Sequence, residues 1–509
     1  MRVGIIQDRQ MEYPREAPFH PGEIYPEIAR LPWARAAESP NRVYAGVRRG
    51  FQLLGLDAGR EGTPEWNPLA AIVRPGERVL IKPNLVLHEP ARLKGSGALF
   101  THASVIRPVV DYVLLATGGD CTITIGDCPL QEANLAQVLE ANGLEALLAF
   151  YRMVAGVPLS FVDFRLDRMD LRPDGRVASR GSAPGDPAGN VTVHVDGLSA
   201  LDPITRGGDR FSEGYQQAFA VALYDQRRTA VRHAPGRHEY VLPRTALEAD
   251  IVINIPKLKT HQKAGLTVCM KNLVGINADK SCLPHYREGA PEDGGDEYPR
   301  KNWLSAWNRR ARRRLAESNR VVWFAVSRTW RFLKTTLLTR AVLGAGSPVV
   351  QNLDIAAGAW DGNDTLWRTI LDLNTILYFA DRAGRIGGAP CRRSFFVVDG
   401  VVSGEGNGPL LPVPRKDGVI LVGADPLAVD VVAARLMGLD WTRVPQLREA
   451  ARREHHRFSE FLGDPATIET VSDDPRWRAL FRSPEHLGYE PPPGWYGVRL
   501  PAAAATGSR

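Results

Sequence analysis

Short apolar runs recur along this chain, and between them the apolar positions switch to a spacing of three and four. Val3–Ile6, Arg78–Ile81, Thr122–Ile125, Ala249–Ile255, Ser394–Val398 and Val419–Val422 read as strands. Val43, Val47, Phe51 and Leu54 place a helix over Asn41–Leu56, with Asn41 as its N-cap. Further helices are predicted over Ser104–Thr117, Gln131–Asn142, Thr365–Ala380 and Leu427–Met437. The alternation predicts an α/β fold, a mostly parallel sheet flanked by helices.

The pattern loosens between residues 157 and 240. There the turn-rich SRGSAPGDPAGN precedes an alternating strand over Val191–Val195, so a β-rich insertion is expected. The organisation is an N-terminal α/β part over 1–156, that insertion at 157–240, and a central strand–loop–helix motif at 241–300. A basic helical insertion follows at 301–350, then a C-terminal α/β part at 351–490 and a tail at 491–509 expected to be partly disordered.

Four runs share one ending. Apolar residues give way to Lys82-Pro83-Asn84, Gly126-Asp127-Cys128-Pro129, Pro256-Lys257-Leu258-Lys259 or Asp399-Gly400. Open parallel sheets bind ligands outside the carboxyl ends of their strands, so these residues fall where the architecture makes chemistry available. The stretch ADIVINIPKLKTHQKAGLTVCMKNLVGI adds Lys257, Lys259, His261 and Lys263 at alternate positions. An extended backbone would point all four one way, and Gly265 reads as the start of a helix carrying Lys271 and Asn272. Edge-strand lysines that deter aggregation would look similar, but the preceding run is too apolar for an edge.

Charge sharpens this picture. Of a formal net charge of +7, residues 301–340 hold eleven Lys or Arg against one acid, Glu317, which leaves the rest of the chain slightly acidic. The stripe is therefore a local positive site, and nucleic acid is not the expected partner. Within 303–340, Trp323, Val326, Trp330, Leu333 and Leu337 form an apolar stripe beside Arg320, Arg328 and Arg331. Two readings stay open: an amphipathic helix on an anionic membrane surface, or a helical insertion packed on the main body. Five cysteines without a C-x-x-C pair predict neither disulfides nor an iron–sulfur cluster. With no secretory signal or apolar span of membrane length, a cytoplasmic protein is expected, peripheral on the inner membrane face if the basic helix engages lipid.

IKPNLV (81–86), Thr101-His102, TIGDCP (124–129), NIPKLKTHQKAGLTVCMKNLVG (254–275), VVDGVVSGEG (397–406) and GADPLAVD (423–430) resemble the domain of unknown function 362 family, in matching order from about residue 70 to 440. GAWDGNDTLWRTILDLN (358–374) and GGDEYP (294–299) are similar to a subgroup with the same insertions. The resemblance implies an α/β fold. Some members carry a ferredoxin-like module, but this chain lacks the clustered cysteines for one.

The candidate anion-holding residues are Lys82, Asn84, Lys257, Lys263, Lys271 and Asn272. The candidate catalytic residues are His261 as acid or base, with Lys259, Asp127, Asp399 and Glu405. Asp127 and Asp399 are also candidate ligands for a divalent metal, with turn capping as the plain alternative. Ser403–Pro409 is glycine-rich but lacks the ending of a P-loop. Asp425 reads as an N-cap, Asp364 as another, and Asp430 as facing solvent or a basic partner. His285 and Gly294–Glu297 read either as a cover over a site or as a surface loop. Cys128 sits where a helix start would stabilise a thiolate, but no base partner is identifiable, so a nucleophilic role is not expected. Together these predict an enzyme acting on a phosphate- or carboxylate-bearing small molecule, lipid-linked and metal-assisted in its fullest form. The alternative is a non-catalytic membrane-surface binding or assembly protein that recognises an anionic polymer or partner.

Overall fold

The computed structural model describes residues 1–171, 177–205, 219–221, 226–300 and 356–501. The basic segment 303–340 lies outside these described residues, and so do both readings of it. One eleven-stranded sheet organises the rest. Its strands are β1 (Arg2–Gln7), β2 (Glu77–Pro83), β3 (Cys121–Asp127), β4 (Ser160–Asp163), β5 (Ile251–Ile255), β6 (Lys257–His261), β7 (Gly265–Thr267), β8 (Arg393–Glu405), β9 (Val413–Arg415), β10 (Val419–Gly423) and β11 (Glu469–Val471). The order is β11-β1-β10-β8-β5-β2-β3-β4, with β6, β7 and β9 attached off this path. β8, β5, β2, β3 and β4 are mutually parallel, and along the path only β10 runs against its neighbours.

Period-two alternation sends each strand's apolar residues to two separate cores. Ile81, Ile125, Ile253, Phe395 and Val397 pack beneath α1 (Arg42–Leu53), α2 (Ala103–Thr117) and α3 (Leu144–Met153). Leu80, Val252, Phe396, Val398 and Leu421 pack beneath α4 (Cys269–Asn272), α5 (Leu366–Phe379) and α6 (Pro426–Met437). A strand buried on both faces reads as a continuous apolar run, and β5 is buried at all five positions. Asn41 caps α1 and Asp425 caps α6 as expected. In the region of the expected β-rich insertion, Asp167–Leu171 pairs with Val177–Ser182, and Asn190–His194 pairs with Arg237–Pro243.

Several local expectations change. Gln131–Asn142 is not one helix: Asn134 caps a shorter one at Leu135–Ala141, and Gly143 then precedes α3. β8 continues past Asp399 because β6 and β9 pair with its second half, so Asp399 lies inside a strand rather than after one, and Ser403 and Glu405 belong to its end. Gly265 opens a strand, not a helix; β7 folds back on β6, and α4 begins only at Cys269. The cap before α5 comes from Asn363, whose side chain accepts the Thr365 and Leu366 amides, while Asp364 pairs with Arg287 and Arg368. Residues 491–501 are packed, with Trp495 fully buried.

Asp430 does not face solvent or a basic partner. Its buried carboxylate accepts the Cys269 amide at 2.7 Å and the Met270 amide at 3.0 Å, fixing the start of α4 from α6. Asp430→Ala should orphan both donors and cost about 2–5 kcal/mol of unfolding free energy. Urea denaturation measures this, and a loss below about 1 kcal/mol would mean that the contact does not hold α4.

Candidate functional site

The polar residues at the strand ends are buried, and burial forces each charge to find a partner or give up its proton. Two lysines find carboxylates. Lys82, at the end of β2, reaches Asp127 at 2.7 Å, and Asp127 also accepts the Leu85 amide at 2.7 Å and the Cys128 amide at 2.8 Å. Lys257, at the start of β6, reaches Asp399 at 3.1 Å. The Tyr13 hydroxyl donates to Asp399 at 2.6 Å and accepts from Lys257, and the His102 amide donates to the same carboxylate at 3.0 Å. Burial pulls both lysines below the ordinary range, and the carboxylates oppose that.

Asp127 and Asp399 therefore serve as counter-ions. β3 and β8 are separated by β2 and β5, which at the usual spacing of neighbouring strands puts their backbones about 14 Å apart. Among the described residues, no three His, Cys, Asp or Glu side chains come together as a metal-ligand set. Glu405 also leaves the site, because it pairs with Arg415 at 2.9 Å and accepts the Glu490 amide at 2.9 Å. Burial pushes the Cys128 thiol up to about 11, which agrees with a cysteine that is no nucleophile.

A second group of cations has no carboxylate of its own. Lys259 donates to the Leu99 carbonyl at 2.5 Å, and Lys280, near the start of the loop after α4, donates to the Val274 carbonyl at 3.0 Å. Lys271 on α4 is partly buried, and among the described residues its ammonium has no hydrogen-bond or ion-pair acceptor. These groups feel one another. Burial, then Lys280 and Lys82, bring Lys271 down to about 7. Burial, then Lys271 and Lys257, push Lys259 well below its ordinary value. Lys263 stands over the Tyr286 ring at 4.8 Å; burial brings it to about 8 against the pull of Asp296 and Glu297. Those acids come from the expected cover loop, where Asp296 is itself buried and tied to Thr365 and the Arg287 amide.

His261 faces the same cluster with a defined tautomer. Its Nδ1 accepts the Lys263 amide at 3.1 Å, so the proton of the neutral ring lies on Nε2. Burial, then Lys271, His285, Lys259 and Lys263, hold it well below 6.5. A neutral imidazole already protonated on Nε2 is a hydrogen-bond donor and not a base on that side. The role open to His261 is thus narrower than acid or base.

Thr267 was not foreseen. It lies directly across the β6–β7 hairpin from Lys259, so the two side chains leave the same face. Its hydroxyl is fully buried and has no hydrogen-bond partner among the described residues. Asn84, Asn272 and Asn254 form an amide chain, Asn84 donating to Asn272 at 2.9 Å and Asn272 to Asn254 at 2.7 Å. That chain ties β2 and β5 to α4, so Asn272 is a structural link, while the Asn84 side-chain oxygen has no partner among the described residues. Gly275 closes the floor: a Cβ there would lie 2.6 Å from Lys82 Nζ and closer still to Asp127.

The sequence region that builds this crevice falls inside a family match. A model of the family described as a domain of unknown function (DUF362) matches residues 79–180 and 208–435. No curated protein and no solved structure matches the chain.

Removing one partner of a buried pair strands the other charge, which costs about 3–5 kcal/mol. Asp127→Ala should destabilise the protein by at least that amount, and the double variant Lys82→Met with Asp127→Leu should recover the part due to the stranded ammonium but not the cost of the orphaned Leu85 and Cys128 amides. Denaturant unfolding of the three proteins decides this; equal losses in the single and double variants would refute the counter-ion role.

Proposed function

The chain belongs to the family described as a domain of unknown function (DUF362), and from that premise we propose that its crevice binds the phosphate or carboxylate of a small molecule on which the protein acts as an enzyme. The observation that carries the reading is the charge imbalance. Lys82 and Lys257 are neutralised within the fold, whereas Lys259, Lys271 and Lys280 share a buried site with no carboxylate of their own. Like charges held together in a poor dielectric destabilise the folded protein, and an anionic ligand relieves that strain. The unpaired Thr267 hydroxyl and the His261 Nε2–H add neutral donors to the same cluster.

Fixed donors aimed at one anionic group need little rearrangement when charge develops on a bound substrate. In this reading Lys259, Lys271 and Lys280 supply the charge, Thr267 and His261 orient the oxygen atoms, and Lys263 stands toward the cover loop. The non-catalytic membrane-surface reading draws on residues 303–340, outside the described ones, and gains no specific observation.

The sign of the pH dependence follows from Lys271. Its free-state value of about 7 means that a bound anion, which favours the ammonium, draws in a proton above neutral pH. Sulfate keeps its charge from pH 6 to 9 and is the probe of choice. Low-millimolar sulfate should raise the melting temperature by about 3 °C or more at pH 6 and by less at pH 9. Lys271→Met should be at least as stable as the parent without sulfate, since a repelled cation is gone, and should lose most of the sulfate response. Equal responses in parent and variant, read by differential scanning fluorimetry, would rule out this site as the anion-binding one.

A further inference from the structure

We propose that the ligand of this site carries, beside its anionic group, a hydroxyl that donates to the side-chain oxygen of Asn84, which makes it a hydroxylated carboxylate or phosphate of a few carbon atoms. This deepens the anion-site reading and rests on it. The amide chain fixes which end of Asn84 is which. The Asn254 nitrogen donates to the Cys269 carbonyl at 2.9 Å, so the Asn254 oxygen faces Asn272. The Asn272 nitrogen donates to that oxygen and to the Lys82 and Pro83 carbonyls at 3.2 and 3.3 Å, so the Asn272 oxygen faces Asn84. Turning the Asn84 amide over would set two oxygens 2.9 Å apart. Its nitrogen is therefore engaged by Asn272, and its oxygen remains as an acceptor.

Printed in the backbone is a short path from this oxygen's residue to Lys259. The Asn84 amide donates to Thr101 Oγ1 and the Asn84 carbonyl accepts the Thr101 amide, each at 2.9 Å. Thr101 Oγ1 donates in turn to the Ile255 carbonyl, at the end of β5, at 2.7 Å. Leu99, two residues before Thr101, receives the Lys259 ammonium on its carbonyl at 2.5 Å. Asn84 and Lys259 are thus both fastened to the segment 99–101, and two residues of chain span at most about 7 Å. Thr267 stands across the hairpin from Lys259. A molecule of three or four carbons whose anionic group meets Lys259 and Thr267 can therefore carry a hydroxyl as far as Asn84.

The Asn84 oxygen is buried, in a residue 7% exposed, and no group among the described residues donates to it. An acceptor oxygen repels an oxyanion, so the anionic group itself is not its partner. A hydroxyl supplies the donor. A buried polar group that a substrate hydroxyl satisfies discriminates strongly against the analogue lacking that hydroxyl, because the group is then left unpaired.

The probes are two pairs matched in chain length: glycerol 3-phosphate with propyl phosphate, and glycerate with propanoate. Each is titrated into the full chain at pH 7, and calorimetry gives its dissociation constant. In a pair that binds, the hydroxylated member should bind at least about tenfold more tightly, and Asn84→Ala should bring that ratio below about twofold. Equal constants within the pair overturn the proposal while the anion site stands, and so does a ratio that survives in Asn84→Ala. If that variant does not fold, the ratio in the parent protein decides alone. Binding by none of the four compounds overturns the proposal too, and the sulfate response of the same preparation then reports whether the anion site itself remains.

Discussion

A lysine buried at the end of a parallel strand is the constraint on which this site depends. The hydrophobic sheet brings such side chains out of water, and a lone ammonium there costs several kcal/mol unless it is paired or neutral. Lys82 and Lys257 meet the constraint by pairing. Each pair also gathers backbone donors: the Leu85 and Cys128 amides on Asp127, and the His102 amide on Asp399. The counter-ions therefore fix the loops after β2 and β3 and the start of α2. The ion pairs form the frame around the remaining lysines.

What the frame leaves over is the more informative set. Lys271 is depressed by burial and by Lys280 and Lys82, and Lys259 by burial and by Lys271 and Lys257; among the described residues neither has an ion pair with a carboxylate, and Asp127, which opposes both shifts, is engaged by Lys82. A fold optimised only for stability would replace one of Lys259, Lys271 and Lys280 with an apolar residue. The orphaned Thr267 hydroxyl points the same way, because a buried hydroxyl without a partner is uncommon. Surplus charge and an unspent donor in one place are complementary to an anion, and neither is explained by packing.

The strands, the two-sided burial of the sheet and the concentration of chemistry at the strand ends were legible in the sequence, because a doubly buried parallel strand is a continuous apolar run. The cationic stretch was legible for the same reason: Lys257, Lys259 and His261 break such a run at alternate positions. The division of labour within it was not. Nothing in KLKTH distinguishes Lys257 from Lys259, since the difference lies in Asp399, distant in sequence, and in Tyr13 near the N-terminus. Lys280 stands in an ordinary turn composition, and Thr267 becomes a neighbour of Lys259 only once Gly265 is seen to start a returning strand. Glu405 looked reactive beside its glycines, yet Arg415, ten residues on, claims it. Local pattern shows where charge enters a fold, and pairing over long sequence distances determines which charges remain free.

The hairpin that carries the site is held from outside as well. Gly265 turns with φ 77°, and a Cβ there would lie 3.0 Å from Trp495. Trp495 donates to the Gln262 carbonyl at 2.5 Å, and Gln446 donates to the Ala264 carbonyl at 2.6 Å. The turn between β6 and β7 is thus clamped by α6's downstream neighbours and by the C-terminal segment, on either side of Lys263. Such outer support keeps donor groups in position before a ligand arrives, and electrostatic stabilisation depends on that preorganisation. A flexible basic loop would spread to relieve its own repulsion; Lys259, His261 and Thr267 cannot, because their backbone is fixed on both strands. In the proposed reading, that rigidity turns the repulsion into affinity for an anion.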